Sequence, residues 1–116
     1  IVDLKTAESA KFAEFQRSAI NYFYHVSAAL TLDGVQSVLD LPDSEKPGPY
    51  IFCVVEKDYP FAVAAFEADE ETVNAGRAQY QTDLMTFSQC KKSNSWPGYP
   101  QELQKLTLPK WFTQNK

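Results

Sequence analysis

The continuous apolar run Tyr50–Val55 constrains the fold of this chain more than any other stretch. It is rich in β-branched and aromatic residues, which is typical of a strand that is buried within a sheet. A tight turn at residues 57–60 and a second apolar run at residues 61–67 follow it, so the pattern predicts a β-hairpin. Such a strand is stable only if other elements cover it, and the flanking sequence has to supply them.

A long amphipathic helix is predicted upstream of the hairpin. Ser9 is a suitable N-cap for a helix that begins near Ala10. Asp33-Gly34 can end or kink this helix, with one or two further turns after that point. Apolar residues recur at intervals of three or four, which predicts one buried stripe: Phe12, Phe15, Ala19, Phe23, Val26 and Leu30.

A second helix is predicted downstream of the hairpin. The acidic run at residues 69–71 suits a first helical turn, where the macrodipole favours negative charge, and the pattern continues to about Lys92. Gly76 lies on the apolar face and would let a neighbouring element approach closely. The Pro-aromatic segments at residues 96–100 and 106–111 predict an irregular tail that packs across the surface. The buried stripe of this helix is predicted to be Val73, Tyr80, Leu84 and Phe87.

Residues 1–6 predict a short strand, so the order of elements is strand, helix, hairpin, helix and tail. This order predicts an α+β fold with a small sheet. A chain of 116 residues can bury one globular core, so we expect residues 1–116 to form a single domain. No apolar run approaches the roughly 20 residues that span a bilayer, so no membrane partner is expected. Cys53 and Cys90 lack metal-ligand spacing, which favours buried, reduced thiols in an intracellular protein.

Asp3-Leu4-Lys5 is the candidate active-site motif. Alternation along a strand puts Asp3 and Lys5 on one face and Leu4 on the other. A carboxylate and an ammonium aimed at one point could hold a divalent cation beside a scissile phosphate and offset its developing charge. About one acidic-x-Lys triplet is expected by chance in a chain of this length. On the triplet alone, a surface ion pair at a strand end is therefore the alternative interpretation.

The helix after this strand carries a polar strip beside its apolar stripe. At about 100° per residue, an unbroken helix places four polar residues on one flank: Gln16, Tyr24, Ser27 and Thr31. This strip could line a cleft beside Asp3 and Lys5, or it could be an ordinary solvated face. His25 is the only histidine, and no second histidine or cysteine cluster could complete a zinc site with it. The formal charge of −4 gives no overall basic surface, so nucleic acid would have to contact a local patch of lysines and arginines.

Six short motifs are spread over nearly all of the 116 residues: Val2–Thr6, Asn21–Val26, Leu32–Gly34, Phe52–Lys57, Trp96–Tyr99 and Leu106–Trp111. In this order they resemble the C-terminal part of RecE-type exodeoxyribonuclease VIII nuclease domains. This family belongs to the PD-(D/E)XK nuclease superfamily and is close in mechanism to phage lambda exonuclease. The resemblance implies a restriction-endonuclease-like core, in which a small mixed sheet is flanked by helices. It also implies Mg²⁺-dependent 5′-to-3′ digestion of double-stranded DNA ends in recombination, with Mn²⁺ as an alternative ion.

The resemblance also assigns roles to individual residues. Asp3 would be the acidic residue of the D/E-x-K half-motif and a metal ligand, and the Leu4 backbone carbonyl would be a further ligand. Lys5 would position or activate the attacking water and stabilise the phosphorane-like charge. Beside them, three residues of the polar strip described above are candidates for binding DNA or lining the cleft: Tyr24, Ser27 and Thr31. The implied partners are further copies of the chain in a ring-like homo-oligomer and a single-strand annealing recombinase. The implied location is the cytoplasm, for a bacterial or phage-encoded protein.

The chain departs from the family pattern in two ways. Family members carry Gln-x-x-x-Tyr directly after Tyr-His-Val, whereas this chain has Ser27 and Thr31 in those places, and these shorter side chains could not reach the same groups. Members also place another metal-binding Asp, and a His on a preceding helix, upstream of the D/E-x-K strand. We therefore expect an upstream segment of the biological protein to complete the site, and the 116-residue chain to be inactive alone.

Two other functions stay open. A non-catalytic, degenerate nuclease fold could bind DNA ends or support assembly, and the short side chains at Ser27 and Thr31, together with the acidic composition, favour it. The second alternative is a small α+β interaction domain, in which Asp3 and Lys5 form only an ion pair. Its partner surface would be the tail aromatics: Trp96, Tyr99 and Trp111.

Overall fold

A three-stranded mixed sheet lies at the centre of the fold. A computed structural model of the protein describes residues 1–113. Strand β1 (Val2–Ala7) pairs in parallel with β2 (Ile51–Glu56), and β2 pairs antiparallel with β3 (Val63–Glu67). The apolar run therefore forms the central strand, and the predicted hairpin is confirmed. This α+β arrangement, with helices flanking a small mixed sheet, agrees with the predicted fold class.

Helices α1 (Phe12–Asn21) and α2 (Tyr24–Val38) connect β1 to β2, so the prediction of one helix is wrong. The break lies at Phe23, whose backbone is left-handed with φ of 57°. Asp33-Gly34 does not end the second helix, which continues to Val38. A 3₁₀ turn at Asp43–Glu45 interrupts the loop that leads to β2.

The start of α1 also differs from the prediction. Ser9 is not the N-cap; Lys11 occupies that position, and Ser9 Oγ accepts a hydrogen bond of 3.2 Å from the Lys11 N–H. Ala10 is buried, and its N–H donates to Glu56 Oε1 at 3.4 Å. This contact with the end of β2 holds Ala10 outside the helix, which therefore begins at Phe12.

The helix break changes which residues reach the core. Phe15 is buried and stacks on Phe66, with ring centroids 5.1 Å apart. On α2 the fully buried residues are Ala28 and Ala29, because the break shifts the helical phase of every residue after Phe23. The predicted stripe is therefore wrong at its exposed positions: Phe12, Phe23 and Leu30. The buried core cluster comprises Ala10, Phe15, Ala28, Tyr50, Phe52 and Val54.

Helix α3 (Glu70–Ser93) packs against α2. It begins as predicted, since the Asp69 carboxylate accepts a hydrogen bond of 2.8 Å from the Thr72 N–H. The predicted close approach at Gly76 is confirmed, because a Cβ there would collide with the backbone carbonyl of His25. The predicted buried stripe is right only in the first half of the helix: Val73 and Tyr80 are half-buried, whereas Leu84 and Phe87 are exposed. Helix α3 has 24 residues and α2 only 15, so α2 is too short to cover the second half of α3.

The tail after α3 does not pack across the surface as predicted. Trp96 contacts Phe87 edge-on, with ring centroids 5.6 Å apart, but Tyr99, Leu103 and Leu106 are almost fully exposed. A short helix, α4 (Lys110–Thr113), follows. Cys53 and Cys90 are free and half-buried rather than buried. None of the helices within residues 1–113 is long and apolar enough to cross a bilayer.

Candidate active site

Asp3 and Lys5 lie side by side on β1, on the face of the sheet that α1 and α2 cover. The Lys5 ammonium is 3.1 Å from Asp3 Oδ2, and the side chains of Asp3 and Lys5 are 19% and 24% exposed. The parallel register puts them beside Phe52 and Val54, two buried residues of β2. The predicted pairing on one face is therefore present, in a partly desolvated setting and not at an open strand end.

Tyr50 is the third member of this cluster. Its hydroxyl donates a hydrogen bond of 2.8 Å to Asp3 Oδ2, and the residue is only 4% exposed. Burial, and then the hydrogen bond to the Asp3 carboxylate, raise the pKa of Tyr50 to about 12. Tyr50 is therefore a neutral hydrogen-bond donor at physiological pH. One oxygen of the Asp3 carboxylate therefore contacts both a cation and a neutral donor.

Helix α2 brings the predicted cleft-lining residues to this cluster. The Tyr24 ring lies under Lys5, with the ammonium 4.5 Å from the ring centroid, which is within cation–π range. Ser27 and Thr31 interact with the Tyr50 hydroxyl and lower its pKa, against the larger effects of burial and Asp3. These three residues fall on one side of α2 because they are spaced by three and four positions. All five predicted side chains of the site therefore meet at one place.

Gln16, the fourth member of the predicted polar strip, does not join them. It lies on α1 and lines a separate surface pocket with Ala19, Ile20 and His25. The physical reason is again the break at Phe23, which separates α1 from the helical phase of α2.

The oxygen atoms at the site suit a hard cation only in part. The Asp3 carboxylate is the class of ligand that Mg²⁺ prefers. Carbonyls of a strand alternate in direction, and those of Ile1 and Ala7 accept hydrogen bonds from the β2 side. The Leu4 carbonyl therefore points to the opposite edge of β1, away from β2. Mg²⁺ takes six ligands, whereas residues 1–113 contain no group of three or more His, Cys, Asp or Glu placed to hold a metal.

Two structural features near the site were not predicted from the sequence. Tyr50 shares a strand face with Phe52, so alternation could have placed it on the core side, but only the register of β1 against β2 puts its hydroxyl on Asp3. The second feature is an ion cluster between α2 and α3, in which Asp33 accepts hydrogen bonds from Arg77 and Tyr80. No local pattern links residues more than 40 positions apart.

Residues 1–108 match a family described as a PDDEXK-like domain of unknown function (DUF3799). A comparison with curated proteins finds no match. The family description supports the PD-(D/E)XK superfamily and a nuclease-fold module, and the mixed sheet with its flanking helices fits a restriction-endonuclease-like core. Since the match covers most of the sequence, the chain belongs to the PDDEXK-like family DUF3799.

Proposed function

We propose that this domain is part of a metal-dependent, RecE-type exonuclease that digests double-stranded DNA ends 5′-to-3′ in recombination. One observation carries the proposal: Asp3 and Lys5 lie 3.1 Å apart on β1, inside a cluster that also contains Tyr24, Ser27 and Thr31. A partly buried carboxylate and ammonium on one strand of a nuclease fold suit phosphodiester hydrolysis. The motifs shared with RecE-type domains support the finer assignment.

In this proposal each group has a defined task. Asp3 and the Leu4 carbonyl would hold Mg²⁺ or Mn²⁺, and the bound ion would supply Lewis-acid stabilisation of the phosphate. Lys5 would orient the attacking water and offset the negative charge that develops on the phosphate oxygens. The Tyr24 ring beneath the ammonium holds it at the site. Tyr50 fixes the orientation of the Asp3 carboxylate through its 2.8 Å hydrogen bond.

The site requires ligands beyond those in the described residues. Asp3 is the one carboxylate that contacts Lys5 and Tyr50 within residues 1–113, and two-metal hydrolysis needs several carboxylates. We propose that a segment outside these residues supplies them at the edge of β1 to which the Leu4 carbonyl points. The proposed partners are DNA ends, a ring-like homo-oligomer and a single-strand annealing recombinase, in the cytoplasm.

The proposed exonuclease activity can be tested by its preference for linear over circular DNA. A longer protein, which adds to this chain the segment proposed above, is incubated with linear and with covalently closed circular duplex DNA, in Mg²⁺ and in EDTA. We expect digestion of the linear DNA only, dependent on the metal, with release of nucleotides from 5′-labelled ends before 3′-labelled ends. Equal cutting of circular DNA, or cutting in EDTA, would contradict the exonuclease proposal.

A second candidate is a non-catalytic nuclease fold that binds DNA ends or supports assembly. The observation that favours it is the internal pairing of Asp3, whose Oδ2 already contacts both the Lys5 ammonium and the Tyr50 hydroxyl. The short side chains of Ser27 and Thr31, which stand where RecE-type domains have Gln and Tyr, also favour a non-catalytic role. Calorimetric titration of the longer protein with Mg²⁺ and Mn²⁺ separates the two candidates. Retained binding to DNA ends without any metal binding would favour the second.

A further inference from the structure

A pocket of about 250 Å³ opens beside the candidate active site, at the C-terminal end of β1, and the chemistry proposed above does not use it. Helix α1 supplies one wall with Arg17, Ser18 and Asn21, and Tyr22 and Tyr24 form another. The volume lies below the roughly 300–1,000 Å³ of pockets for drug-sized ligands, so it suits one small polar unit.

Two stacked tyrosines connect this pocket to the Asp3–Lys5 pair. The Lys5 ammonium lies over the Tyr24 ring, 4.5 Å from its centroid. Tyr24 in turn stacks on Tyr22, with ring centroids 5.8 Å apart and an interplanar angle of 29°. Tyr22 is 69% exposed. An exposed ring that is supported from behind by a second ring is a suitable surface for stacking an unpaired base.

Arg17 provides the cation of the pocket. Its guanidinium forms no ion pair with any residue in 1–113, whereas Lys57, the other cation in the lining, is 3.9 Å from the Glu8 carboxylate. A free guanidinium can bind a phosphate through two parallel hydrogen bonds. Ser18 and Asn21 add hydrogen-bonding groups on the same wall. Glu8 and Glu14 also line the pocket, and their charge favours one phosphate over a polyphosphate.

We propose that this pocket is a nucleotide subsite for a single-stranded end, in which Tyr22 stacks on an unpaired base and Arg17 binds a backbone phosphate. The inference rests on the proposed function, because a strand processed at Asp3 and Lys5 would continue into the adjacent pocket. A paired base in a duplex is already stacked on its neighbours, so the aromatic surface selects single strands.

Binding can be measured apart from cleavage. The longer protein is titrated, in EDTA, against a short fluorescein-labelled oligothymidylate, and fluorescence anisotropy gives the dissociation constant. We expect Tyr22→Ala and Arg17→Ala each to weaken binding about tenfold. Tyr22→Phe should bind like the wild type, and Arg17→Ala should lower the salt slope by about one phosphate contact.

The matched controls are Tyr59→Ala, which replaces an exposed tyrosine on the hairpin turn, and Lys11→Ala, which replaces a cation at the N-cap of α1 outside the pocket lining. Both should bind oligothymidylate like the wild type. Unchanged affinity in Tyr22→Ala and Arg17→Ala, or an equal loss in the controls, would overturn the subsite. The longer protein could also fail to cleave DNA while the two pocket variants still lose binding. That result would support the subsite and contradict only the exonuclease proposal.

Discussion

The Tyr50 hydroxyl donates a 2.8 Å hydrogen bond to Asp3 Oδ2, across two parallel strands. The same oxygen is 3.1 Å from the Lys5 ammonium, so one carboxylate atom accepts a hydrogen bond and also forms an ion pair. Tyr50 is buried among Phe52 and the residues of α2, which prevents its hydroxyl from turning to solvent. The orientation of Asp3 is therefore set by the core and not by Lys5 alone.

Replacing Tyr50 with Phe should remove a pH-dependent part of the stability. Burial and the Asp3 hydrogen bond raise the pKa of Tyr50 from 10.0 to about 12. Below about pH 10 the Tyr50 hydroxyl is protonated in both the folded and the unfolded chain, so its contribution to the unfolding free energy is complete there. It is lost as the pH rises from about 10 to about 12, because the unfolded chain ionises first. Urea denaturation should therefore show a steeper fall in unfolding free energy for the wild type than for Tyr50→Phe over this window.

Tyr59→Phe is the matched control, because Tyr59 is exposed on the hairpin turn. Its alkaline stability profile should parallel that of the wild type. A Tyr50→Phe profile that is also parallel to the wild-type profile between pH 10 and 12 would show that folding does not raise the pKa of Tyr50.

The cluster of Asp33, Arg77 and Tyr80 should stabilise the packing of α2 on α3. Asp33 accepts two hydrogen bonds of 2.7 Å from Arg77 and one of 2.6 Å from Tyr80. The hydrogen bonds from Arg77 are the largest cause of a lowered pKa at Asp33. Because the groups are partly solvated, Asp33→Asn should cost about 1–2 kcal/mol of unfolding free energy at pH 7.

The difference between wild type and Asp33→Asn should shrink as the pH falls below the ordinary value of 3.8 and through the lowered pKa, where the native carboxylate takes up its proton. Asp83→Asn, on the exposed face of α3, is the control and should change stability little. A difference between wild type and Asp33→Asn that stays constant down to pH 2 would contradict the role of the charge.

Gly76 and Gly34 should respond in opposite ways to alanine. A Cβ at Gly76 would collide with the His25 carbonyl at the start of α2, and a backbone group cannot move aside without shifting the helix. Gly76→Ala should therefore destabilise the protein by about 1–3 kcal/mol. Gly34 lies inside α2 with nothing within 4 Å of an added Cβ, so Gly34→Ala should stabilise by about 0.5–1 kcal/mol. Thermal unfolding of the two variants checks this, and equal shifts in Tm would refute the packing argument.

Local patterns predict part of this fold well. The hairpin and the shared face of Asp3 and Lys5 follow from alternation along single strands. The helix break cannot be predicted from a local pattern, because Phe23 is neither Gly nor Pro. A left-handed backbone at such a residue costs about 1–2 kcal/mol. The packing of Phe15 and Tyr24 against Phe52 on the two sides of the break offsets that cost.

Only part of the candidate site can be predicted from the sequence. Its α2 residues follow from their spacing, whereas Tyr50 is joined to Asp3 across 47 positions of sequence. That contact depends on the register of two parallel strands, which neither strand encodes by itself. The stacked pair of Tyr22 and Tyr24, and the absence of an ion pair at Arg17 within residues 1–113, likewise depend on where α1 ends.

The central claim is that Asp3 and Lys5 form the centre of a nuclease, and its most direct test is a rate. The Mg²⁺-dependent digestion of linear duplex DNA is measured for the longer protein and for three variants: Asp3→Asn, Lys5→Met and Lys92→Met. Lys92 is exposed in the last turn of α3 and serves as the charge-matched control for Lys5. We expect Asp3→Asn and Lys5→Met to lower the rate by about 100-fold or more, with Lys92→Met unchanged. Digestion by Lys5→Met at the wild-type rate would contradict the claim.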